Sequence, residues 1–300
     1  MDQRSAKGDA MKAGAFDYHR PTSLAEAVRL LGALEDARPI AGGQSLGPMM
    51  NLRVAQPAHL VDLAGLPELV GVEESEGYIR IGAMTTQRAL ERSPLVARFC
   101  PLISAALRFV GHQQTRNRGT LGGSLCHLDP AAELPLVALA LDARLTIAGP
   151  EGSREMPFAD LPAGYLATTL AQDEIVTHVS FPKASPISLY AFNEFARRHG
   201  DFAIVAVAVV LDMAPAGAVA HARIALGGID AAPVRASRAE AALIGAPPDP
   251  GRIAQALDAL SDFEFVGDHL YTAEYRRHLA RVLTERAIAT ALAAGREPRS

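Results

Sequence analysis

The 300-residue chain holds only two cysteines, Cys100 and Cys126. An iron–sulfur cluster needs four thiolates and a cysteine-based zinc site needs several, so neither can be built from this chain's cysteines. In a reducing cytoplasm the two would stay unpaired, and they read as small buried hydrophobes. If the protein moves electrons, it uses an organic cofactor or a partner's metal.

An excess of positive charge is also missing. The net charge is −4, which leaves no basic field to hold a polyanion and argues against nucleic-acid binding. No apolar run approaches the roughly 18 residues of a membrane span; the longest, Ala203 to Leu211, reads as one buried strand. The first residues, MDQRSAKGDAMKAGAF, contain no apolar h-region, so they read as a loose leader over residues 1–13 rather than a secretory signal. A cytoplasmic protein is the expectation.

Several motifs are absent too. No two glycines are separated by a single residue, which rules out G-x-G-x-x-G, and there is no G-x-x-x-x-G-K-[ST] and no H-E-x-x-H. The nine histidines are scattered. Only His112 and His127 flank a segment of interest, and each is open to a cofactor role or to an ordinary polar one.

What is present suits a globular protein of two domains: 49% of residues are hydrophobic and 21% charged, enough apolar material for two cores. Ser23 and Glu26 form an S-x-x-E capping box ahead of an amphipathic helix with Leu24, Val28 and Leu31 on one face. Strands follow at Ala37–Ala41 and around Leu60–Leu63. Further on come a strand at Tyr78–Ala83, helices around Gln87–Glu91 and Leu102–Val110, a glycine-rich loop over 119–124, an apolar helix near Ala132–Leu141, and strands near Arg144–Ala148 and Glu174–Phe181. Pro182 to Pro186 reads as a linker. Three strands then follow (Ser188–Arg197, Ala203–Met213, Val219–Gly227), with helices over Ala236–Ile244, Pro250–Leu260 and about Thr272–Ala294. The order is that of an α+β protein.

Two glycine pairs carry the chemistry. In Ile40-Ala41-Gly42-Gly43-Gln44-Ser45-Leu46, adjacent glycines after a strand let successive N–H groups turn inward as an anion nest, with Ser45 as a further donor. A plain strand-ending turn is the alternative. Thr120-Leu121-Gly122-Gly123-Ser124 repeats the pattern of hydroxyl, two glycines and hydroxyl, so two loops could clasp a pyrophosphate from opposite sides. Asp129 and Glu133 follow, as helix N-terminal acids or as acceptors for sugar or ribitol hydroxyls. Gly43-Gln44-Ser45-Leu46-Gly47 is also a literal G-x-S-x-G, and Asp201 and His269 would complete a Ser…Asp…His order. Against a serine hydrolase stand the few residues ahead of the motif, the lack of an oxyanion segment, and Pro48 directly after it. A nucleotide-binding module without catalysis is a further alternative.

AGGQSL, QTRNRGTLGGSLCHLDPAAELP, RRHGDFAIVAVAVVL and ARIALGGI, in this order and spacing, resemble the FAD-binding medium subunits of molybdenum hydroxylases of the xanthine dehydrogenase and carbon monoxide dehydrogenase type. The resemblance runs from Phe16 to the final helix. It implies a two-domain α+β flavoprotein. Residues 14–185 would form a vanillyl-alcohol-oxidase-type (PCMH) FAD-binding domain, and 186–300 a carbon monoxide dehydrogenase flavoprotein C-terminal domain with a three-stranded sheet and helices. It further implies noncovalent FAD, with residues 40–46 at the pyrophosphate and Thr120 to Ser124 reaching pyrophosphate, ribitol and flavin. Asp129 and Glu133 would accept from hydroxyls, Val176 lie near the adenine, Phe202 near the isoalloxazine, and Val110 and Asn193 beside the cofactor. Glu133 stands where relatives usually have aspartate. Asn193 stands where they often have lysine, which leaves no charged contact from that position. The implied partners are a large subunit with the molybdenum cofactor and a small one with two [2Fe-2S] clusters, as a dimer of heterotrimers. A stand-alone flavin oxidoreductase is the alternative within the same chemistry. The organic substrate and the terminal acceptor are not written in this chain.

Overall fold

The computed structural model describes residues 12–295; most of the expected leader lies outside them. Strand β1 (Asp17–His19) leads into α1 (Leu24–Ala33), β2 (Ala37–Ile40), α2 (Leu46–Asn51) and β3 (His59–Asp62). β3 lies between β1 and β2 and runs parallel to both. α1 starts where its cap predicts: the Ser23 hydroxyl accepts from the Glu26 N–H at 3.2 Å. The Glu26 carboxylate reaches back to the Thr22 N–H at 2.7 Å, one residue upstream of the usual capping-box partner. Ala27, Val28 and Leu31 bury the apolar stripe.

A second, antiparallel sheet follows. It comprises β4 (Val72–Glu74) and β5 (Tyr78–Gly82), and after six helices β6 (Arg144–Gly149), β7 (Gly152–Pro157) and β10 (Ile175–Pro182), in the order β4-β5-β10-β6-β7. β8 (Pro162–Gly164) and β9 (Ala167–Thr168) form a small hairpin apart from it. The intervening helices are α3 (Gln87–Glu91), α4 (Pro94–Phe99), α5 (Pro101–Leu107), α6 (Gln113–Arg118), α7 (Leu121–His127) and α8 (Glu133–Ala140). The segment expected as a second glycine-rich loop is thus largely helix, capped by the Thr120 hydroxyl, which accepts from the Gly123 N–H at 3.1 Å.

β11 (Ser188–Ala196), β12 (Ala203–Met213) and β13 (Val219–Gly227) are the three expected strands, and the two-residue β14 (Val234–Arg235) extends their sheet to four. α9 (Ser237–Leu243), α10 (Pro250–Asp258) and α11 (Ala273–Ala294) complete the chain. β12 is apolar on both faces because both are covered. Val205, Val207, Val209 and Leu211 face the core shared with α11, whereas Ala206 and Ala208 join the other core with α8. Small alanines on that face let α8 approach closely. α8 itself is apolar all round, with every residue buried, as a helix must be when protein covers each side. It packs against α5 and α7 of the first part and β12 and β13 of the second.

Ion pairs cross the same seam. Asp142, just after α8, receives Arg235 at 2.7 Å, and Arg235 also meets Glu240 at 2.7 Å.

Candidate functional site

A cavity of about 760 Å³ opens where the β2–α2 loop, the starts of α7 and α8, and the turn between β11 and β12 converge. That volume lies within the range of sites for sizeable organic ligands. Two stretches of its lining are anchored to neighbouring elements. Asp36, Arg38, Gln172 and Glu174 gather near the end of α1, where the Gln172 amide donates to the Leu31 and Leu34 carbonyls. Val110, Gly111, Gly200, Asp201 and Phe202 gather where Gly200 packs on His112.

Of the positions expected at the cofactor, Ile40, Ala41, Gly42, Gly43, Gln44, Ser45, Leu46, Val110, Thr120, Gly122, Gly123, Ser124, Asp129, Glu133, Val176 and Phe202 line this cavity. Leu121 does not; it is wholly buried in the core beneath. Asn193 does not either. On β11 it lies on the face opposite Phe192, beside a shallow pocket with Leu283, Arg286 and Thr290 of α11. Strand alternation, which turns each neighbour to the other face, removes it from the cavity.

The two glycine pairs turn out to do different work. In the first, Gly43 has φ +69° and the N–H groups of Gly43, Gln44, Ser45 and Leu46 have no acceptor among the described residues. Free N–H groups beside a positive-φ glycine are what an anion nest requires. In the second, the N–H groups from Leu121 to Ser124 are already engaged. Leu121 donates to Thr85 O at 3.0 Å, Gly122 to Ala83 O at 2.8 Å, Gly123 to the Thr120 hydroxyl and Ser124 to Thr120 O at 3.1 Å. Of the two loops expected to clasp a pyrophosphate, the first leaves its N–H groups free and the second uses most of its own as scaffold. The second pair is glycine for reasons of space: a β-carbon on Gly122 would lie 2.6 Å from that of Ala83. What this segment offers a ligand is hydroxyl groups, Thr120 and Ser124.

Charge in the cavity is mostly negative. Asp36, Asp129, Glu133, Glu174 and Asp201 line it, with Arg38 as the one Lys or Arg among the described lining residues. Arg154 neutralises Glu174 through contacts of 2.6 and 2.9 Å. Burial, with the nearby Asp129 adding to it, pushes the Glu133 carboxyl up to about 7. Glu194 is pushed up to about 8 by burial and by Glu133, and its Oε2 has no partner among the described residues. Burial pushes the Cys126 thiol, in the cavity wall, up to about 12, so it stays uncharged and weakly nucleophilic. His127 lines the cavity and His112 does not.

The serine-hydrolase arrangement is not assembled. Ser45 and Asp201 line the cavity, but His269 lies in the turn before α11 and is not among its walls. Ser45 caps the start of α2 with helical φ and ψ (−108°, −56°), not the strained strand-to-helix turn of a nucleophile elbow.

Two further lining residues, Arg38 and Gln87, are not marked by any motif. Nothing in the sequence distinguishes Arg38 from any surface arginine on a short strand. Gln87 follows Thr86, a helix cap, and there a polar residue is ordinary.

Residues 14–184 match the family described as the FAD binding domain in molybdopterin dehydrogenase, and residues 190–291 the CO dehydrogenase flavoprotein C-terminal domain. The chain is 42% identical to the nicotine 6-hydroxylase medium subunit of Paenarthrobacter nicotinovorans, over 94% of this chain and 99% of that one. Among solved structures it is similar to the carbon monoxide dehydrogenase from Hydrogenophaga pseudoflava which lacks the Mo-pyranopterin moiety of the molybdenum cofactor. The TM-score there is 0.92 at 38% identity, covering 94% of this chain and 99% of that chain. Quinoline 2-oxidoreductase from Pseudomonas putida 86 gives a TM-score of 0.90 at 38% identity, covering 96% and 100%.

Proposed function

Because the chain belongs to the family of FAD-binding medium subunits of molybdenum hydroxylases, we propose that it is the electron-transfer subunit of a heteromeric hydroxylase. In that complex a large partner carries the molybdenum cofactor and a small partner carries two [2Fe-2S] clusters. The complex is a dimer of heterotrimers in the cytoplasm, and the chain divides into its two working units at residues 185–186. The bound flavin supplies the redox chemistry, and the chain holds it in place and limits access to it.

The observation that carries this reading is the row of four unengaged N–H groups from Gly43 to Leu46, pointing to an anion in a cavity with one arginine and several carboxyls. Such a cavity suits a diphosphate held by neutral dipoles rather than by cations. The Ser45, Thr120 and Ser124 hydroxyls add donors. Phe202, 71% exposed at the rim, is an apolar lid that the isoalloxazine would cover. Val176 would stand by the adenine. The two cysteines leave the clusters to a partner. The names of the relatives, a nicotine hydroxylase, a carbon monoxide dehydrogenase and a quinoline oxidoreductase, span unlike substrates. Substrate choice therefore belongs to the large partner.

Co-expression with the two candidate partners, followed by size-exclusion chromatography with metal and flavin analysis, tests the assignment. The expected result is one complex containing molybdenum, iron and FAD, whose hydroxylase turnover requires this chain. A monomer that oxidises an organic substrate alone would instead identify a stand-alone flavin oxidoreductase.

A further inference from the structure

We propose that the Gln87 carboxamide bridges the diphosphate and the ribityl chain of FAD, its Nε2 donating to a phosphate oxygen and its Oε1 accepting from a ribityl hydroxyl. The inference rests on the FAD reading above and assigns a contact within it.

Gln87 is 6% exposed and forms part of the cavity wall. Its Oε1 is buried with no partner, and no described protein atom accepts from its Nε2. Buried carboxamides are almost always hydrogen-bonded, because removing them from water without a partner is unfavourable. A ligand with both an acceptor and a donor within reach completes this one. The diphosphate–ribityl junction of FAD offers that pair, anionic oxygens beside hydroxyls.

The position is set by neighbours. The Gln87 N–H donates to Gly119 O at 2.8 Å, and the Thr86 hydroxyl caps α3. A β-carbon on Gly119 would lie 2.7 Å from Gln87 Oε1, although Gly119 has an ordinary φ of −57°. Glycine stands there to leave room for the carboxamide. On its other side Gly119 adjoins Gly42, whose β-carbon would lie 2.9 Å from the Gly119 Cα. The carboxamide thus sits one residue across from the start of the first loop, whose N–H groups await the phosphate. With the second glycine pair's N–H groups engaged, a side-chain donor is what that side of the diphosphate requires.

The test uses the full chain stripped of flavin and titrated with FAD and with ADP, which has the diphosphate but no ribityl chain. Gln87→Leu should weaken FAD about tenfold and ADP about threefold, the loss of two bonds against one. Gln87→Glu, which removes the donor and adds negative charge, should weaken both ligands more than Gln87→Leu does. Gly119→Ala, whose methyl group would meet the far end of Gln87 first and the Thr115 carbonyl next, should follow Gln87→Leu in weakening FAD more than ADP. FAD binding at wild-type strength in both Gln87 variants overturns the inference, as does a Gln87→Glu that binds ADP as well as wild type. Wild-type protein that fails to bind FAD would instead overturn the functional reading itself.

Discussion

A β-carbon placed on Gly42 would lie 1.9 Å from the carbonyl oxygen of Arg118. Backbone meets backbone there, so neither side can yield by a rotamer change. Gly42→Ala should therefore separate the first loop from the end of α6 and disturb the row of N–H groups from Gly43 to Leu46. We expect FAD affinity to fall by about a hundredfold or more, of the order expected when several hydrogen bonds to a charged group are misaligned. Titration of flavin fluorescence measures this, with circular dichroism to confirm that the fold persists. Near-wild-type affinity would show that the loop tolerates the displacement.

Ser45 distinguishes two chemistries. As one donor among several to a phosphate, its replacement by Ala should weaken FAD binding by about 0.5–1.5 kcal/mol. The wild-type protein should not hydrolyse nitrophenyl esters, since His269 is not beside Ser45. Ester turnover that disappears in Ser45→Ala would contradict the arrangement described.

Glu133 should make the apo-protein less stable as pH rises. Its carboxyl holds its proton up to about 7 when folded, against 4.5 for an unperturbed glutamate, so across that window the unfolded chain binds fewer protons than the folded one. Stability then falls between those values and levels off above them. The loss is on the order of 3 kcal/mol for a shift of this size. Urea denaturation at pH 5 and pH 8 should show the decline, and Glu133→Gln should flatten it. Part of the slope should remain from Glu194, which is shifted in the same direction. An equally steep decline in Glu133→Gln would place its origin elsewhere.

The two ion pairs of Arg235, one across the seam to Asp142 and one within the second part to Glu240, should contribute unequally. The Asp142 side chain is 56% exposed, and losing it leaves Arg235 still paired with Glu240. Asp142→Ala should cost about 0.5 kcal/mol, as exposed pairs do. Glu240, only 10% exposed, also accepts from the Ile224 N–H at 2.7 Å. Glu240→Ala should cost about 2 kcal/mol, because it leaves the buried Ile224 N–H without its acceptor and the Arg235 guanidinium with only the exposed Asp142 and a backbone carbonyl. Chemical denaturation of both variants provides the comparison, and equal costs would mean that burial does not decide between them.

Much of this architecture is visible in the amino-acid order. β12 and β13 have the expected bounds; for β12 a continuous apolar run has few alternatives to a covered strand. α1 and α11 carry caps that mark their starts. α6 is invisible in the sequence for a physical reason: QQTRNR has no apolar face and buries no residue, so periodicity has nothing to report. α7 reads as loop because LGGSLCH contains two poor helix formers, and the close packing on Ala83 that requires a glycine is a tertiary fact. The first glycine pair is legible as a nest. Its counterpart at Gly122 and Gly123 has the same local pattern, and only the fold reveals that its N–H groups already have acceptors. Family position puts Asn193 at the cofactor, whereas the alternation of β11 turns it toward α11.

The all-apolar α8 also sets where this protein can be divided. The obvious place to join halves of two related chains is the proline-bounded stretch over 182–186. But α8, more than forty residues earlier, presses on β12 and β13, and its surface is shaped to the small alanines of the later sheet. A chimera cut at 182–186 would pair one parent's α8 with the other parent's sheet, bringing together two surfaces with no shared history of fit. An exchange that carries α8 along with the sheet it covers would keep that contact native and move the mismatch to α5 and α7.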